Sequence, residues 1–141
     1  MIIDHVGIVF KSIEKGLKLW TSIFGYQQTT EIITNTRQKV KVVFLNKENS
    51  IEIKLIEPTE STSPVYTLAQ RGGGLNHLCF KCDDVETELD NLRGQGLRIL
   101  KQPQPGEAFQ NEKIAFIFAG QGLNIELIDT EKRAGSIVND Q

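Results

Sequence analysis

A chain of 141 residues, 39% of them hydrophobic, is long enough for one domain with a buried core. Its 16 Lys and Arg nearly balance 18 Asp and Glu, so the charge gives no reason to expect nucleic acid or a membrane surface as a partner. No apolar run approaches the roughly 20 residues of a membrane-spanning helix. The first residues lack the basic and apolar regions of a signal peptide. We therefore expect a single cytoplasmic domain over residues 1–141.

The first half of the chain has the pattern of one strand, one helix and three further strands. Ser12 is suited to cap a helix, whose apolar residues recur at helical spacing until Gly25 ends it. Short apolar runs on either side alternate in period two or are bounded by polar turns. They predict strands over residues 2–10, 26–34, 38–46 and 50–57. This unit is module one, about residues 1–58.

The second half repeats this order after a linker at residues 59–74, which is rich in Pro, Ser, Thr and Gly and has room for a short helix at 64–71. Asp84 is suited to cap the second main helix. Strands are predicted over residues 75–82, 97–101, 113–118 and 123–129. This unit is module two, about residues 75–129.

Two polar stretches are predicted to lie outside these elements. Residues 103–112 have the composition of a long loop that covers or shapes a site. Residues 130–141 form a polar tail that we expect to be frayed.

The two halves are related by a shift of 72 residues without a gap. The shift places residues 53–57 (IKLIE) on residues 125–129 (IELID), and it places His5 on His77. These are the only two histidines of the chain. The same shift places residues 13–14 (IE) on 85–86 (VE) and residues 42–45 (VVFL) on 114–117 (IAFI). Because four separate patches share the same offset, the sequence indicates a tandem duplication.

The alternation within each strand predicts which side chains share a face. One face of each strand packs on the helices, and the residues between turn to the opposite, concave face. The residues predicted to turn away from the helices are His5, Lys54, His77 and Glu126. If the two sheets close together, these four side chains converge, and Gly7 leaves space among them.

Two histidines and one carboxylate form a set that divalent first-row metals accept, with open positions for water or substrate. Taken singly, a histidine on a strand is more often a hydrogen-bonded structural residue, and a glutamate is usually solvated. The shared offset favours a site, because the residues occupy related positions of a duplicated unit.

Five segments carry a resemblance to a known family: HVGIV at 5–9, IKLIEP at 53–58, GGLNHL at 73–78, AFIF at 115–118 and IEL at 125–127. The chain resembles the vicinal oxygen chelate superfamily over about residues 2–129, and it is most similar to the methylmalonyl-CoA epimerase and glyoxalase I branches. The resemblance implies an α+β fold, in which two tandem βαβββ modules form an eight-stranded, partly open, cup-shaped mixed sheet with helices outside. It also implies a homodimer and a divalent metal ion (Zn, Ni, Co, Mn or Fe) held by His5, His77 and Glu126.

The chain departs from that family at three positions. Lys54 stands where the family has a fourth ligand, Glu or Gln. Arg37 replaces an acid that epimerases use for proton transfer, and Asn76 stands where another His is common. An ammonium within about 4 Å of a dication is repelled. Three outcomes therefore stay open: Lys54 loses its proton, it swings toward the mouth of the cup, or no metal is bound.

Positive charge is predicted on the concave side of the sheet. The predicted facing places Arg37, Lys39 and Lys41 near Lys54, but for Lys39 and Lys41 we prefer the solvated face of a strand as the explanation. A basic cup favours a small anionic molecule, which Arg37 is suited to bind in bidentate geometry. The predicted substrate-binding residues are Arg37, Lys54 and Asn76.

These residues suggest functions of different classes. The first is a glyoxalase-like, metal-dependent isomerase, epimerase or lyase that removes a proton next to a carbonyl, with Glu126 as ligand and base and Lys54 as proton donor or oxyanion partner. The alternative is a non-catalytic small-molecule-binding protein of the bleomycin-resistance type, with a degenerate or absent metal site. A third is a non-haem iron dioxygenase, because two His and one carboxylate also suit ferrous iron.

Overall fold

Twelve helices and strands position the site. The computed structural model describes residues 1–137, and residues 138–141 lie outside the described residues. The helices Ile13–Ser22 and Val85–Gly94 are each capped at the residue predicted from the sequence, Ser12 and Asp84. In chain order the elements are β1 (Ile2–Val9), α1 (Ile13–Ser22), β2 (Gln27–Gln28), β3 (Ile33–Asn35), β4 (Val40–Asn46), β5 (Glu52–Pro58), α2 (Tyr66–Gln70), β6 (Gly74–Lys81), α3 (Val85–Gly94), β7 (Arg98–Gly106), β8 (Glu112–Phe118) and β9 (Asn124–Ile128).

The strands of this part of the chain form one open, mixed sheet of nine strands in the order β2-β4-β5-β1-β6-β9-β8-β7, with β3 also paired to β4. At its centre β1 and β6 are antiparallel, and each is flanked by a parallel partner, β5 and β9. The α+β class and the open, mixed sheet are confirmed. Within residues 1–137, none of the helices has the length and apolar character that crossing a bilayer requires.

The prediction of a single strand over residues 26–34 is wrong. Two short strands, β2 and β3, lie in this region, so the sheet has nine strands instead of eight. The chain leaves the edge of β4 between β2 and β3, where the Thr30 hydroxyl accepts a hydrogen bond from the Phe44 amide at 3.0 Å. A side chain thus takes the place of a backbone partner, and the two short strands pair separately with β4.

The pairing register repeats at the same 72-residue offset as the sequence. Gly7 of β1 faces Lys54 of β5, and 72 residues further on Cys79 of β6 faces Glu126 of β9. The helices enter the sheet in the same way in both halves. Glu57 accepts a hydrogen bond from the first N–H of α1 at 2.8 Å, and Asp129 accepts one from the first N–H of α3 at 2.9 Å. These carboxylates supply partners for N–H groups that a helix leaves unsatisfied.

Apolar side chains pack on both faces of the sheet. Helix α1 covers one cluster and α3 a second, as the alternation of β5 and β9 predicts. A third cluster fills the inside of the cup and contains Phe44 and Phe109, both buried. The interior beneath the site is therefore hydrocarbon, which lowers the effective dielectric around any charge placed there.

Two stretches differ from the prediction. Residues 103–112 are not a polar loop, because β7 continues to Gly106 and the next residues form a short 3-10 helix (Glu107–Phe109). Phe109 of that helix is 1% exposed, and this burial anchors the segment in the cup. Residues 130–137 of the predicted frayed tail are docked, with a β-bridge between Ser136 and Thr30.

Candidate active site

Four polar side chains meet at the floor of the cup, each from a different central strand. The Nε2 atoms of His5 and His77 lie 3.1 and 3.3 Å from Oε1 of Glu126. The Nζ atom of Lys54 lies 3.5 Å from the other carboxylate oxygen, Oε2. All four residues are at most 5% exposed. The structure thus brings together the residues that the alternation and the repeat predict on one face.

A β-bulge precedes each histidine and supplies a partner for its ring. The β1–β6 pairing skips Asp4 on one strand and Asn76 on the other, and these two positions are 72 residues apart. A bulge re-aims the side chain that it carries. His5 Nδ1 lies 2.7 Å from an Asp4 carboxylate oxygen, and His77 Nδ1 lies 2.8 Å from the Asn76 side-chain oxygen. Both rings therefore donate through Nδ1 and turn Nε2 to the centre of the site.

The atoms at the centre are all acceptors. A neutral imidazole that donates through Nδ1 has a lone pair on Nε2, so two lone pairs face Oε1 of Glu126. Within residues 1–137, His77 Nε2 is a buried atom without a hydrogen-bond partner, and the neighbour of His5 Nε2 is Oε1 of Glu126, itself an acceptor. Mutually facing acceptors repel one another, and a cation placed between them satisfies all three.

The spacing of the three acceptors fits a first-row metal ion. His5, His77 and Glu126 offer ligand atoms that all lie within 4.8 Å of one another. Neighbouring ligands at about 2.1 Å from an ion are about 3.0 Å apart in octahedral and 3.4 Å apart in tetrahedral geometry. The observed 3.1 and 3.3 Å lie in this range. The donor set of two imidazoles and one carboxylate leaves further positions open.

Lys54 lies beside the three acceptors and donates to one of them, Glu126. Its ammonium faces Oε2, the oxygen of Glu126 that the histidines do not contact. The amine also lies 5.1 Å from the ring centre of Phe109 and 5.8 Å from that of Phe44, within the range of cation–π attraction. Of the three outcomes considered for Lys54, a swing toward the mouth is not what the structure has, since the side chain is buried at the floor.

The pKa values of the site follow from burial and from these contacts. Burial by itself would raise the pKa of Glu126, but the neighbouring Lys54 ammonium acts in the opposite direction, and the pKa lies well below its usual value. Burial lowers the pKa of His77, although Glu126 acts in the opposite direction. An ionised Glu126 beside a neutral His77 is the protonation state in which both are metal ligands.

Gly7 gives the His77 ring its space. A Cβ at this position would lie 2.3 Å from Cε1 of His77, and all three of the nearest atoms belong to that ring. Position 7 has an ordinary backbone conformation, so the requirement for glycine is one of volume. Any side chain here would push the imidazole away from Glu126.

A cavity of about 190 Å³ opens above the floor. His77, Lys54 and Glu126 line its base, and Phe116 with several aliphatic side chains lines its walls. Asn76, a predicted substrate-binding residue, lies on the wall beside His77. The other polar side chains of the wall are Asn35, Gln38, Lys101 and Asn124.

The sequence reasoning missed Asn35, Gln38 and Lys101 as cavity residues. Asn35 ends β3 and accepts a hydrogen bond from the Gln38 amide at 3.0 Å, so the signal available was a turn residue next to a strand end. Lys101 is exposed at the mouth on β7 and carried no local signal.

The predicted placement of Arg37, Lys39 and Lys41 on the concave side is wrong. In β4 the apolar residues, Val40 and Val42 among them, face the cavity, so Lys41 points outward and pairs with Glu57 at 3.7 Å. Lys39 donates to a threonine hydroxyl at the surface. Arg37 is exposed in a shallow depression outside the cavity. A substrate-binding role for Arg37 remains a prediction that the geometry of the cavity does not support.

Comparison with known proteins assigns the family. A sequence profile of the Glyoxalase/Bleomycin resistance protein/Dioxygenase superfamily matches residues 4–116. The chain belongs to this superfamily, which confirms the resemblance noted in the sequence. It is 31% identical over 134 residues to the uncharacterized protein YqjC of Bacillus subtilis, a match that covers 90% of this chain and 91% of the relative.

Two solved structures show the same architecture. Methylmalonyl-CoA epimerase from Mycobacterium tuberculosis superimposes with a TM-score of 0.80 at 26% identity, over 90% of this chain and 86% of that one. A variant of the Streptomyces coelicolor methylmalonyl-CoA epimerase, in complex with 2-nitronate-propionyl-CoA, gives 0.81 at 25% identity, over 93% and 98%. The likeness therefore extends over nearly the whole chain.

Proposed function

We propose that this chain is a metal-assisted isomerase that removes and returns a proton at the carbon next to a carbonyl, acting on a small anionic acyl group carried as a thioester. The observation that carries the proposal is the ring of acceptors around the unpartnered His77 Nε2 at the base of a cavity. The similarity to epimerases, one of them with a propionyl-CoA analogue bound, supports the class of reaction and of substrate.

The metal would be held by three residues. His5 and His77 would bind it through Nε2 and Glu126 through Oε1, the three atoms that face one another. When bound, a divalent ion polarises the carbonyl oxygen and so stabilises the negative charge that develops as the neighbouring carbon loses its proton. Which divalent metal binds, and the homodimer implied by the resemblance, remain predictions.

Glu126 and Lys54 would move the proton. The second oxygen of Glu126, Oε2, accepts the proton as the C–H bond breaks. The Lys54 ammonium, which comes from the opposite module, returns a proton to the same carbon. The two side chains are 3.5 Å apart, so the proton on Glu126 then passes to the Lys54 amine and restores the starting state. The net result is exchange of the proton at one carbon, whose configuration can change while that carbon is planar, with no gain or loss of atoms.

The dimensions and charges of the cavity favour a small anionic group. A volume of about 190 Å³ is below the range of sites that enclose drug-sized ligands, so a carrier such as coenzyme A would extend through the mouth. Lys54 at the floor is paired with Glu126, so Lys101 at the mouth supplies the positive charge in excess. The Asn76 amide and its neighbours on the wall orient the acyl group through hydrogen bonds.

A second function is favoured by one observation. The Lys54 ammonium neutralises Glu126 within the protein, so the buried carboxylate is compensated even without a metal ion. A site compensated in this way suits a small-molecule-binding protein of the bleomycin-resistance type. Such a protein would hold anionic ligands without exchanging their protons.

Proton exchange with solvent distinguishes the two functions. In deuterated water, the enzyme replaces the α-proton of a carboxylated acyl thioester such as methylmalonyl-CoA, and the loss of that signal is followed by proton NMR. We expect exchange by the metal-loaded wild type, none by Glu126→Gln and strongly reduced exchange by Lys54→Met. Lys41→Met is the matched control, because Lys41 lies on the outer face and should leave exchange unchanged. Metal-loaded wild type that binds the thioesters without exchange overturns the enzymatic proposal.

A further inference from the structure

The docked tail, residues 130–137, joins the two halves of the chain. The Ala134 amide donates to the carbonyl of Ala108 in the second half at 2.9 Å. The Ile137 amide donates to the carbonyl of Thr29 in the first half at 2.8 Å. These backbone contacts fix the position of the segment relative to both halves and therefore the positions of its side chains.

One side chain of the docked tail reaches the interior. The guanidinium of Arg133 lies 4.6 Å from the ring centre of Phe44 and 5.1 Å from that of Phe109, the two rings that also flank Lys54. Its Nε donates to Glu52 at 3.1 Å and its terminal nitrogen to Asp4. The side chain is 11% exposed. An arginine that is buried between two carboxylates and two aromatic faces is held far more tightly than a surface ion pair.

Asp4 connects Arg133 to the site. The Asp4 oxygen that accepts from Arg133 is the same oxygen, Oδ2, that faces His5 Nδ1 at 2.7 Å. Because this oxygen accepts from Arg133, the His5 ring is the donor in the second contact, through Nδ1–H.

We propose that Arg133 is a positioning residue for His5. Through Asp4 it fixes the ring orientation and the tautomer that present Nε2 at the metal position, so the docked tail is part of the site. The role in metal affinity rests on the function proposed above, whereas the role in the tautomer of His5 does not.

The second half of the chain has no equivalent of this arrangement among the described residues. His77 Nδ1 is held by the neutral amide of Asn76 at 2.8 Å, and Asn76 has no arginine behind it. The two ligands thus differ in what holds them: an ion pair supports His5, and an amide supports His77. A carboxylate partner makes an imidazole the stronger donor to a metal.

Metal affinity tests the first consequence. Dissociation constants for Zn²⁺ and Co²⁺ are measured by competition with a chromophoric chelator for the wild type and for Arg133→Ala, Arg133→Lys, Asp4→Asn and the matched control Lys132→Ala. Partners behind a metal ligand are worth about 10–100-fold in affinity. We expect a loss of this size for Asp4→Asn, a smaller loss in the same direction for Arg133→Ala, and partial recovery for Arg133→Lys. Lys132→Ala should match the wild type, because the Lys132 amine pairs with Glu112 at the surface.

The tautomer of His5 tests the second consequence and needs no metal. Long-range proton–nitrogen NMR spectra of the metal-free protein report which ring nitrogen carries the proton. We expect the Nδ1–H form of His5 in the wild type and a mixture in Arg133→Ala, with His77 unchanged in both. Wild-type spectra and wild-type metal affinity in a folded Arg133→Ala overturn the proposal. If the wild type binds no metal, the metal-dependent function is refuted, and the His5 tautomer still decides the role of Arg133.

Discussion

Replacing Gly7 by Ala tests whether the His77 ring owes its position to a missing side chain. The new Cβ would lie 2.3 Å from the ring, whereas ordinary contact begins near 3.4 Å. The ring must therefore retreat by about 1.1 Å (3.4 minus 2.3), toward the cavity whose base it lines, or β1 must move. Such overpacking costs about 1–3 kcal/mol. In a domain of this size we expect the melting temperature to fall by about 3–10 °C.

A displaced ring also carries Nε2 away from Glu126, so the affinity for Zn²⁺ should fall by about 10–100-fold. Circular dichroism melts and chelator competition measure the two effects on the same samples. Gly94→Ala is the control, because a Cβ added at Gly94, at the end of α3, would meet nothing within 4 Å. It should leave Zn²⁺ affinity unchanged. A Gly7→Ala protein that melts within about 1 °C of the wild type and binds Zn²⁺ equally well would refute the reasoning.

Three further outcomes are expected. Glu126→Gln leaves the Lys54 ammonium buried without a counter-charge, so the free energy of unfolding measured in urea should fall by about 3–5 kcal/mol. Adding Lys54→Met should restore most of that loss. An unchanged free energy of unfolding for the single variant would contradict the ion pair. Because the folded pKa of Glu126 lies well below the usual 4.5, its contribution to stability is present above that value and is lost as the pH falls through the folded pKa; urea midpoints of the wild type should fall more between pH 6 and pH 3 than those of the double variant. Burial and, next, Asp129 raise the pKa of Cys82 to about 11, so only about one thiol in a thousand is ionised at pH 8, and the rate of alkylation by iodoacetamide should rise about tenfold per pH unit above that; a rate equal to that of free cysteine would contradict it.

The floor of the site was predictable because it depends on local pattern. Alternation in a strand has a period of two, so the face of Lys54 or Glu126 follows from its apolar neighbours alone. The repeat at 72 residues then relates the two halves without any knowledge of the sheet. The family resemblance predicted the cup-shaped sheet, whose curvature brings the four strands together.

The parts that the sequence did not predict depend on contacts between distant residues. The bulges at Asp4 and Asn76 exist only in the pairing of β1 with β6. Arg133 is one of several charged residues in a polar segment, and nothing nearby in the chain marks it as the one that enters the core. Phe109 is similarly a lone aromatic in a stretch of turn-forming residues, and its burial requires the cup to exist first.

The error in β4 has a physical cause. The prediction placed Arg37, Lys39 and Lys41 on the concave face, on the assumption that the inside of the cup is the polar face of the strand. The interior of the cup is instead apolar around a small charged centre, so β4 contributes Val40 and its alternate neighbours. The concave side of the sheet is thus a second apolar core, which surrounds the four polar side chains of the floor.

The contact between Lys54 and Glu126 joins equivalent positions of the two modules. In an assembly of two identical single modules, this place would hold either two ammonium groups or two carboxylates, and either pair would repel at 3.5 Å. Opposite charges here require that each half change independently of the other. Joining the modules in one polypeptide therefore allows a proton acceptor and a proton donor to face each other from equivalent positions. Two identical separate chains cannot do this, because both would carry the same residue there.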